Sequence, residues 1–199
     1  MIVIGLTGSI GMGKTETARM FAERGVPVSE SDAIVHRLYD REGEAVTAVA
    51  AAFPGVTAQG RIDRVKLAGH LAAHPEDFAR LESIVHPLVR AEQETFLAEA
   101  RRRKARLAVL DIPLLFETGR DADVDKIVVV SAPADVQRAR VLARPGMTEE
   151  KFAAILARQL PDSEKRKRAD FIVDSGHGLD YARGQVRHII DVLSQGDSS

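Results

Sequence analysis

Five short apolar runs punctuate the chain: Ile2–Thr7, Val26–Glu30, Leu107–Ile112, Ile127–Ser131 and Phe171–Asp174. They are nearly continuous in β-branched and aliphatic residues instead of alternating, the pattern of strands buried on both faces of a parallel sheet. Between them the apolar period lengthens to that of helices. Lys14–Arg24 sets Ala18, Phe21 and Ala22 on one face, and Gly25 follows where a left-handed residue ends a helix. From Asp32 to about Lys104 the pattern is mostly helical, with turn signals at Phe53-Pro54-Gly55, Gln59-Gly60, His74-Pro75 and His86-Pro87, the last at a helix start. Further helices are predicted from Ala134 to Ala143, and from an N-cap at Thr148 to about Leu160, with Glu149 and Glu150 in its first turn. Strands alternating with helices predict an α/β fold with right-handed crossovers. The stretch between the second and third strands is too long for a crossover and predicts an inserted helical subdomain over residues 33–103. The tail from Gln195 to Ser199 is expected to fray.

Composition narrows the class. With 199 residues, 45% of them hydrophobic and 29% charged, the chain can bury a core as one domain carrying a large insertion. A net charge of −1 argues against a dedicated nucleic-acid binder. There is no cysteine, which excludes disulfide scaffolds, cysteine zinc sites and thiol nucleophiles. Met1–Gly5 has neither the basic start nor the apolar run of a signal peptide, and no stretch is long enough to span a membrane. A soluble, cytoplasmic protein is expected.

The chemistry starts after the first strand. Gly8-Ser9-Ile10-Gly11-Met12-Gly13-Lys14-Thr15 matches a glycine, four residues, then Gly-Lys-Ser/Thr. Glycines let main-chain N–H groups wrap a polyphosphate, and the following helix adds its unpaired amides. Lys14 is placed to reach the β- and γ-phosphates and the Thr15 hydroxyl to ligate Mg²⁺. This loop serves switches, motors and small kinases alike; the absence of an Asn-Lys-x-Asp run argues against a guanine-specific switch, and the length fits a small kinase.

Asp32 follows the second strand, so it is either a base for an attacking hydroxyl or, in competition with Ser31, a helix cap. Asp111 ends the third strand and is either a Mg²⁺ ligand or a structural carboxylate before Pro113. His86 is a ligand residue or a packed histidine, and the His70/His74 pair has no third metal ligand in view. Arg138, Arg140 and Arg144 either form a charged lid over the phosphates or a solvated helix face, and Glu164–Arg168 is equally open. Arg101–Lys104 suits a helix C-terminus.

These motifs together resemble the dephospho-coenzyme A kinase family over nearly the whole chain. Gly5–Thr15 is similar to the family's phosphate loop, Ser31-Asp32-Ala33 with His36-Arg37 to its acidic motif, and Asp63-Arg64 with Leu81–Arg90 to its acceptor-binding insertion. Asp111–Glu117 resembles its third-strand signature, while Arg140, Arg144, Gln159, Lys165, Ala169 and Asp170 fall at its lid and final-strand motif. Glu30, Glu16, Ala72 and Met12 depart from the usual pattern.

The resemblance implies a three-layer P-loop fold with a five-stranded parallel sheet. It assigns 1–32, 104–137 and 166–199 to the core, 33–103 to the acceptor insertion and 138–165 to a lid. It also implies MgATP-dependent phosphorylation of the 3′-hydroxyl of dephospho-coenzyme A. Asp32, Lys14 and Arg140 are then catalytic, and Gly8, Gly11, Met12, Gly13, Lys14, Thr15, Glu16 and Arg144 bind ATP. Arg64, His86, Pro113 and Leu114 bind the acceptor, and Thr15 and Asp111 serve Mg²⁺. Expected partners are ATP and dephospho-coenzyme A, without nucleic acid or membrane, in a monomer or small homo-oligomer. A nucleoside or nucleoside-monophosphate kinase and a nucleotide-dependent switch are the rival readings.

Overall fold

The computed structural model describes residues 1–195. In chain order the elements are β1 (Ile2–Thr7), α1 (Lys14–Glu23), β2 (Val28–Glu30), α2 (Ser31–Tyr39), α3 (Ala45–Ala52), β3 (Thr57–Ala58), β4 (Arg61–Ile62) and α4 (Arg64–Ala73). There follow α5 (Phe78–Arg102), β5 (Leu107–Asp111), β6 (Lys126–Ser131), α6 (Ala134–Leu142), α7 (Glu149–Leu156), α8 (Asp162–Lys167), β7 (Phe171–Asp174) and α9 (Leu179–Gln195). The chain divides into two compact units, one of residues 1–29 and 100 onward, the other of residues 30–99. The frayed tail expected from Gln195 on lies, past Gln195, outside the described residues.

The first unit is built on a five-stranded parallel sheet in the order β2-β5-β1-β6-β7. β1 sits at its centre, pairing Ile4 with Val109 of β5 and Leu6 with Val128 of β6. Alternate residues of each strand go to opposite faces. Ile4, Leu6, Val109, Val128, Val130 and Val173 pack with Phe21 of α1 and Val186, Ile189 and Leu193 of α9. The residues of opposite parity, among them Val3, Ala108, Leu110 and Val129, are buried as well. On that second side a Cβ on Gly5 would come within 3.2 Å of Leu115 and Val124 side chains. Burial on both faces is why β1, β5 and β6 lack alternation, whereas in β7 exposed Ile172 stands beside buried Val173. Gly25, at φ 77°, closes α1 as its position predicts.

The second unit packs Ile34, Leu38, Val49, Phe53, Leu67, Val85 and Val89 into a core of its own. Two expectations are corrected here. His86-Pro87 is not a helix start: Pro87 lies inside the 25-residue α5. The proline forfeits one main-chain bond, but the apolar stripe Leu81, Ile84, Val85, Leu88, Val89 runs across it unbroken, and burying that stripe outweighs the loss. The insertion also holds a small antiparallel hairpin, β3–β4, around Gln59-Gly60. Both turn residues have positive φ, 53° and 78°, the geometry of a two-residue hairpin turn. In the first unit, the helix expected to run to Leu160 stops at Leu156 and restarts as α8 after Pro161. The Arg158 and Gln159 amides return only three residues, to Ile155 and Leu156, and the Leu160 amide goes to the Glu117 side chain. The α-helical ladder is thus lost before Pro161, which suits the start of the next helix. Thr148 caps α7 through the Lys151 amide as expected.

Candidate active site

Between β1 and α1 the chain turns through Gly8–Gly13. A Cβ on Gly8 would lie 2.6 Å from the Val130 carbonyl oxygen, so only glycine lets the loop rest on β6. Gly13, at φ 89°, is the left-handed residue from which α1 starts. No side chain caps that helix, and Thr17 is the residue whose amide returns to Gly13 O, at 3.1 Å. The amides of Lys14, Thr15 and Glu16 therefore precede the first intrahelical bond, an arrangement that favours anions.

Lys14 and Asp111 form an ion pair at the mouth of the loop, with side chains 14% and 7% exposed. Asp111 ends β5 opposite Leu6 of β1, which places its carboxylate beside the loop. Thr15 is exposed on the first turn of α1. Met12 turns its side chain inward, where its sulfur accepts the Ala132 amide at 3.1 Å, and its carbonyl accepts the Ser175 hydroxyl at 2.7 Å.

Arg140 donates to Ser175 Oγ at 2.8 Å and to Ser175 O at 2.7 Å. Its Nη1 is 3.7 Å from where a Cβ on Gly13 would stand, so a guanidinium charge sits at the loop. Arg144 lies past the end of α6, which stops at Leu142; the two arginines do not share one helix face. Arg138 pairs with Glu149 of α7 on the surface. Pro113 accepts the Thr7 hydroxyl on its carbonyl at 3.2 Å, and Leu114 O accepts from Thr118 at 2.7 Å, so both belong to the turn that leaves β5.

The run Glu164–Arg168 divides by environment. Lys165 is wholly buried, Lys167 pairs with Glu164 at 2.7 Å, and Arg168 lies over the Phe116 ring at 5.6 Å. Asp170 bridges β6 and the start of β7, accepting from Lys126 Nζ and the Ile127 amide, each at 2.8 Å. Burial alone would raise its carboxyl; the Lys126 and Ile127 hydrogen bonds more than offset that, and its pKa is lowered.

In the second unit, Asp32 stands exposed in the first turn of α2. It does not cap that helix, and neither does Ser31: the N-cap is Glu30, with no side-chain bond. Ser31 instead accepts Gln93 Nε2 at 3.1 Å. A cleft of about 290 Å³ in this unit is lined by His36, Tyr39, Arg61, Ile62, Asp63 and Arg64, among others. Asp63 caps α4 through the Val65 and Lys66 amides, which places Arg64 over the Tyr39 ring at 5.8 Å. Burial raises the Tyr39 hydroxyl, and the Arg64 charge partly opposes it. His86, half-buried on α5, is not part of that lining.

Among the described residues no group of three or more His, Asp or Glu side chains could hold a metal by itself. His70 bonds Asp77 at 2.6 Å and stacks near His74. Ser175 and Gln137 support the loop without having been marked by the sequence pattern, since nothing in their own neighbourhoods signals a bond to residues more than 120 positions away.

Comparison with known proteins agrees with this geometry. The Dephospho-CoA kinase family model matches residues 2–180. A dephospho-CoA kinase of Agrobacterium fabrum is 63% identical over 193 residues, covering 97% of this chain and 98% of that protein. A crystal structure from Thermus thermophilus matches with a TM-score of 0.83 at 34% identity, covering 98% of both chains. A Campylobacter jejuni dephospho-CoA kinase, 24% identical with a TM-score of 0.67 over 98% of each chain, shares the fold. A glycine loop seated on β6, a lysine and an aspartate at its mouth and relatives matched end to end point the same way: the chain belongs to the dephospho-coenzyme A kinase family, the P-loop kinases of the last, ATP-dependent step of coenzyme A synthesis.

Proposed function

We propose that this chain carries out its family's reaction, transfer of the γ-phosphoryl group of ATP to the 3′-hydroxyl of dephospho-coenzyme A, with the following division of labour. The observation that carries it is the loop: amides around Gly11, Met12 and Gly13, then the open first turn of α1, with a lysine at its mouth. Those amides, with Thr15 and Glu16 N–H, cradle the β- and γ-phosphates. Lys14 turns from Asp111 to the phosphate oxygens. Thr15 hydroxyl and the Asp111 carboxylate are hard oxygen donors, the donor chemistry Mg²⁺ takes. That ion, when bound with ATP, neutralises charge on the β- and γ-oxygens.

Asp32 is the base. It is the second residue past the carboxyl end of β2, where parallel sheets place ligand groups, and its exposed carboxylate is not spent on capping. It takes the proton as the 3′-oxygen attacks phosphorus. Arg140 beside Gly13, and Arg144, balance the charge of the transferring group. Residues 138–165 form the lid. In the second unit the cleft offers Arg64 and Arg61 around the apolar Ile62 and Ala58, chemistry suited to a diphosphate and an adenine ring. His86, Pro113 and Leu114 complete the acceptor contacts.

The experiment is a coupled ADP-release assay over a panel of acceptors, with phosphorus NMR of the product. Turnover with dephospho-coenzyme A and a new 3′-phosphomonoester are expected. Turnover with a nucleoside or nucleoside monophosphate alone would overturn the acceptor assignment. Asp32→Asn should lower kcat by roughly 10²-fold or more while MgATP affinity holds, the scale of a lost general base. A near-normal kcat would remove Asp32 from the chemistry.

A further inference from the structure

Among the described residues of the first unit, Lys165 is the most deeply buried charged side chain, at 0% exposure. Its ammonium lies 2.8 Å from Glu117 Oε1. The same carboxylate oxygen accepts the Leu160 amide at 2.7 Å. The Lys165–Glu117 contact is an ion pair without hydrogen-bond geometry: Lys165 Nζ, Glu117 Oε2 and Asp162 Oδ1 are all buried without a hydrogen-bond partner among the described residues. Burying an ion pair costs desolvation that its attraction often fails to repay, and apolar residues of similar volume commonly do as well. Stability therefore gives no sufficient reason for the pair, and its position does.

The residue before Leu160 is Gln159. Its Oε1 accepts the Ile10 amide at 3.1 Å, and Ile10 O accepts Gln137 Nε2 at 2.8 Å. Ile10 is the third residue of the phosphate loop, and both of its main-chain groups are held by side-chain amides. One short path thus runs from Lys165 to Glu117, to the main chain at Leu160, to Gln159 and into the loop.

We infer that Glu117 and Lys165 are positioning residues for the phosphate-binding loop. Glu117 holds the main chain at Leu160, Lys165 holds Glu117, and Gln159 thereby braces Ile10 so that the cradle has its binding shape before nucleotide arrives. Without the brace, the loop must be ordered at the expense of binding energy, which weakens affinity. This inference rests on the reading that the loop takes a nucleoside triphosphate.

The test measures MgATP affinity of the full chain by calorimetry, beside steady-state kinetics and thermal melting. Gln159→Met removes the acceptor facing Ile10 with little change in volume, and Kd for MgATP should rise roughly tenfold, the scale of one such bond. The double variant Glu117→Ala/Lys165→Met leaves neither member of the pair behind as a lone charge and should give a similar rise. Adding Gln159→Met to that pair should weaken binding little further, because all three changes remove one brace. KM for dephospho-coenzyme A should stay within about twofold.

A double variant that melts lower yet binds MgATP as the wild type does would overturn the inference. So would a triple variant whose loss is the product of the separate losses. Wild-type protein that binds MgATP but leaves dephospho-coenzyme A unphosphorylated would sink the acceptor assignment alone, with the positioning role still judged by Kd. Wild-type protein that binds no MgATP would sink both.

Discussion

Replacing Lys14 with methionine separates stability from function at one position. The lysine and its partner Asp111 are 14% and 7% exposed, so the pair is largely out of water. Deleting one member of a buried pair costs about 3–5 kcal/mol, because a charge is left in a poorly solvated place. The loop mouth admits some water, which sets the expectation at about 3 kcal/mol. Unfolding entropy of roughly 2.1 cal/mol/K per residue gives about 0.4 kcal/mol/K over this chain, so Lys14→Met should lower Tm by about 7 °C. Asp111→Asn should cost less, about 1 kcal/mol and 2–3 °C, since the freed lysine can swing its ammonium to solvent. In Lys14→Met/Asp111→Asn the carboxylate charge is removed together with its lysine, and Tm should recover most of the loss suffered by Lys14→Met. None of the variants lacking Lys14 should release heat with MgATP. Differential scanning calorimetry and titration calorimetry on the same preparations read both quantities. If Lys14→Met melts within 1 °C of the wild type, or the double variant is no more stable than that single one, the account of the pair is wrong. Undiminished MgATP binding by Lys14→Met would remove the loop from phosphate recognition.

Two further outcomes follow from the same structure. Gly8→Ala drives a methyl group to 2.6 Å from Val130 O, a main-chain atom that cannot step aside, so the loop should lift from β6. A stability loss of about 1–3 kcal/mol is expected, with MgATP affinity lost beyond what the change in Tm implies; unchanged affinity would show that the seat on β6 is dispensable. Asp170 has a lowered carboxyl pKa in the folded protein, burial being outweighed by its bonds to Lys126 and Ile127. The unfolded chain then holds that proton at higher pH, and the carboxylate's contribution is complete above the ordinary value of 3.8 and lost as pH falls through the folded one. The Tm difference between wild type and Asp170→Asn should be constant near neutrality and shrink below about pH 4; a difference independent of pH would refute it.

The local sequence determined what depends on neighbours along the chain. Strands β1, β5 and β6 announced themselves because both faces of the sheet are covered along them, which favours continuous apolar runs; β7 carries such a run too, although its Ile172 is exposed. The phosphate loop was legible because glycine, lysine and threonine at fixed spacing are demanded by one local turn. Thr148 and Gly25 marked helix ends for the same reason.

Only the tertiary structure decided the rest. Pro87 reads as a breaker until the stripe from Leu81 to Val89 is buried around it. Lys165 is indistinguishable from Lys167 in a charged run, until α8 turns one toward Glu117, 48 positions earlier, and the other to its own helix. Arg140 is tied to Ser175, and Ile10 to Gln137 and Gln159, by bonds between segments from 35 to 149 positions apart. Spacing rules describe one turn of chain at a time; a hydrogen bond between distant segments exists only once the sheet order has brought its donor and acceptor together.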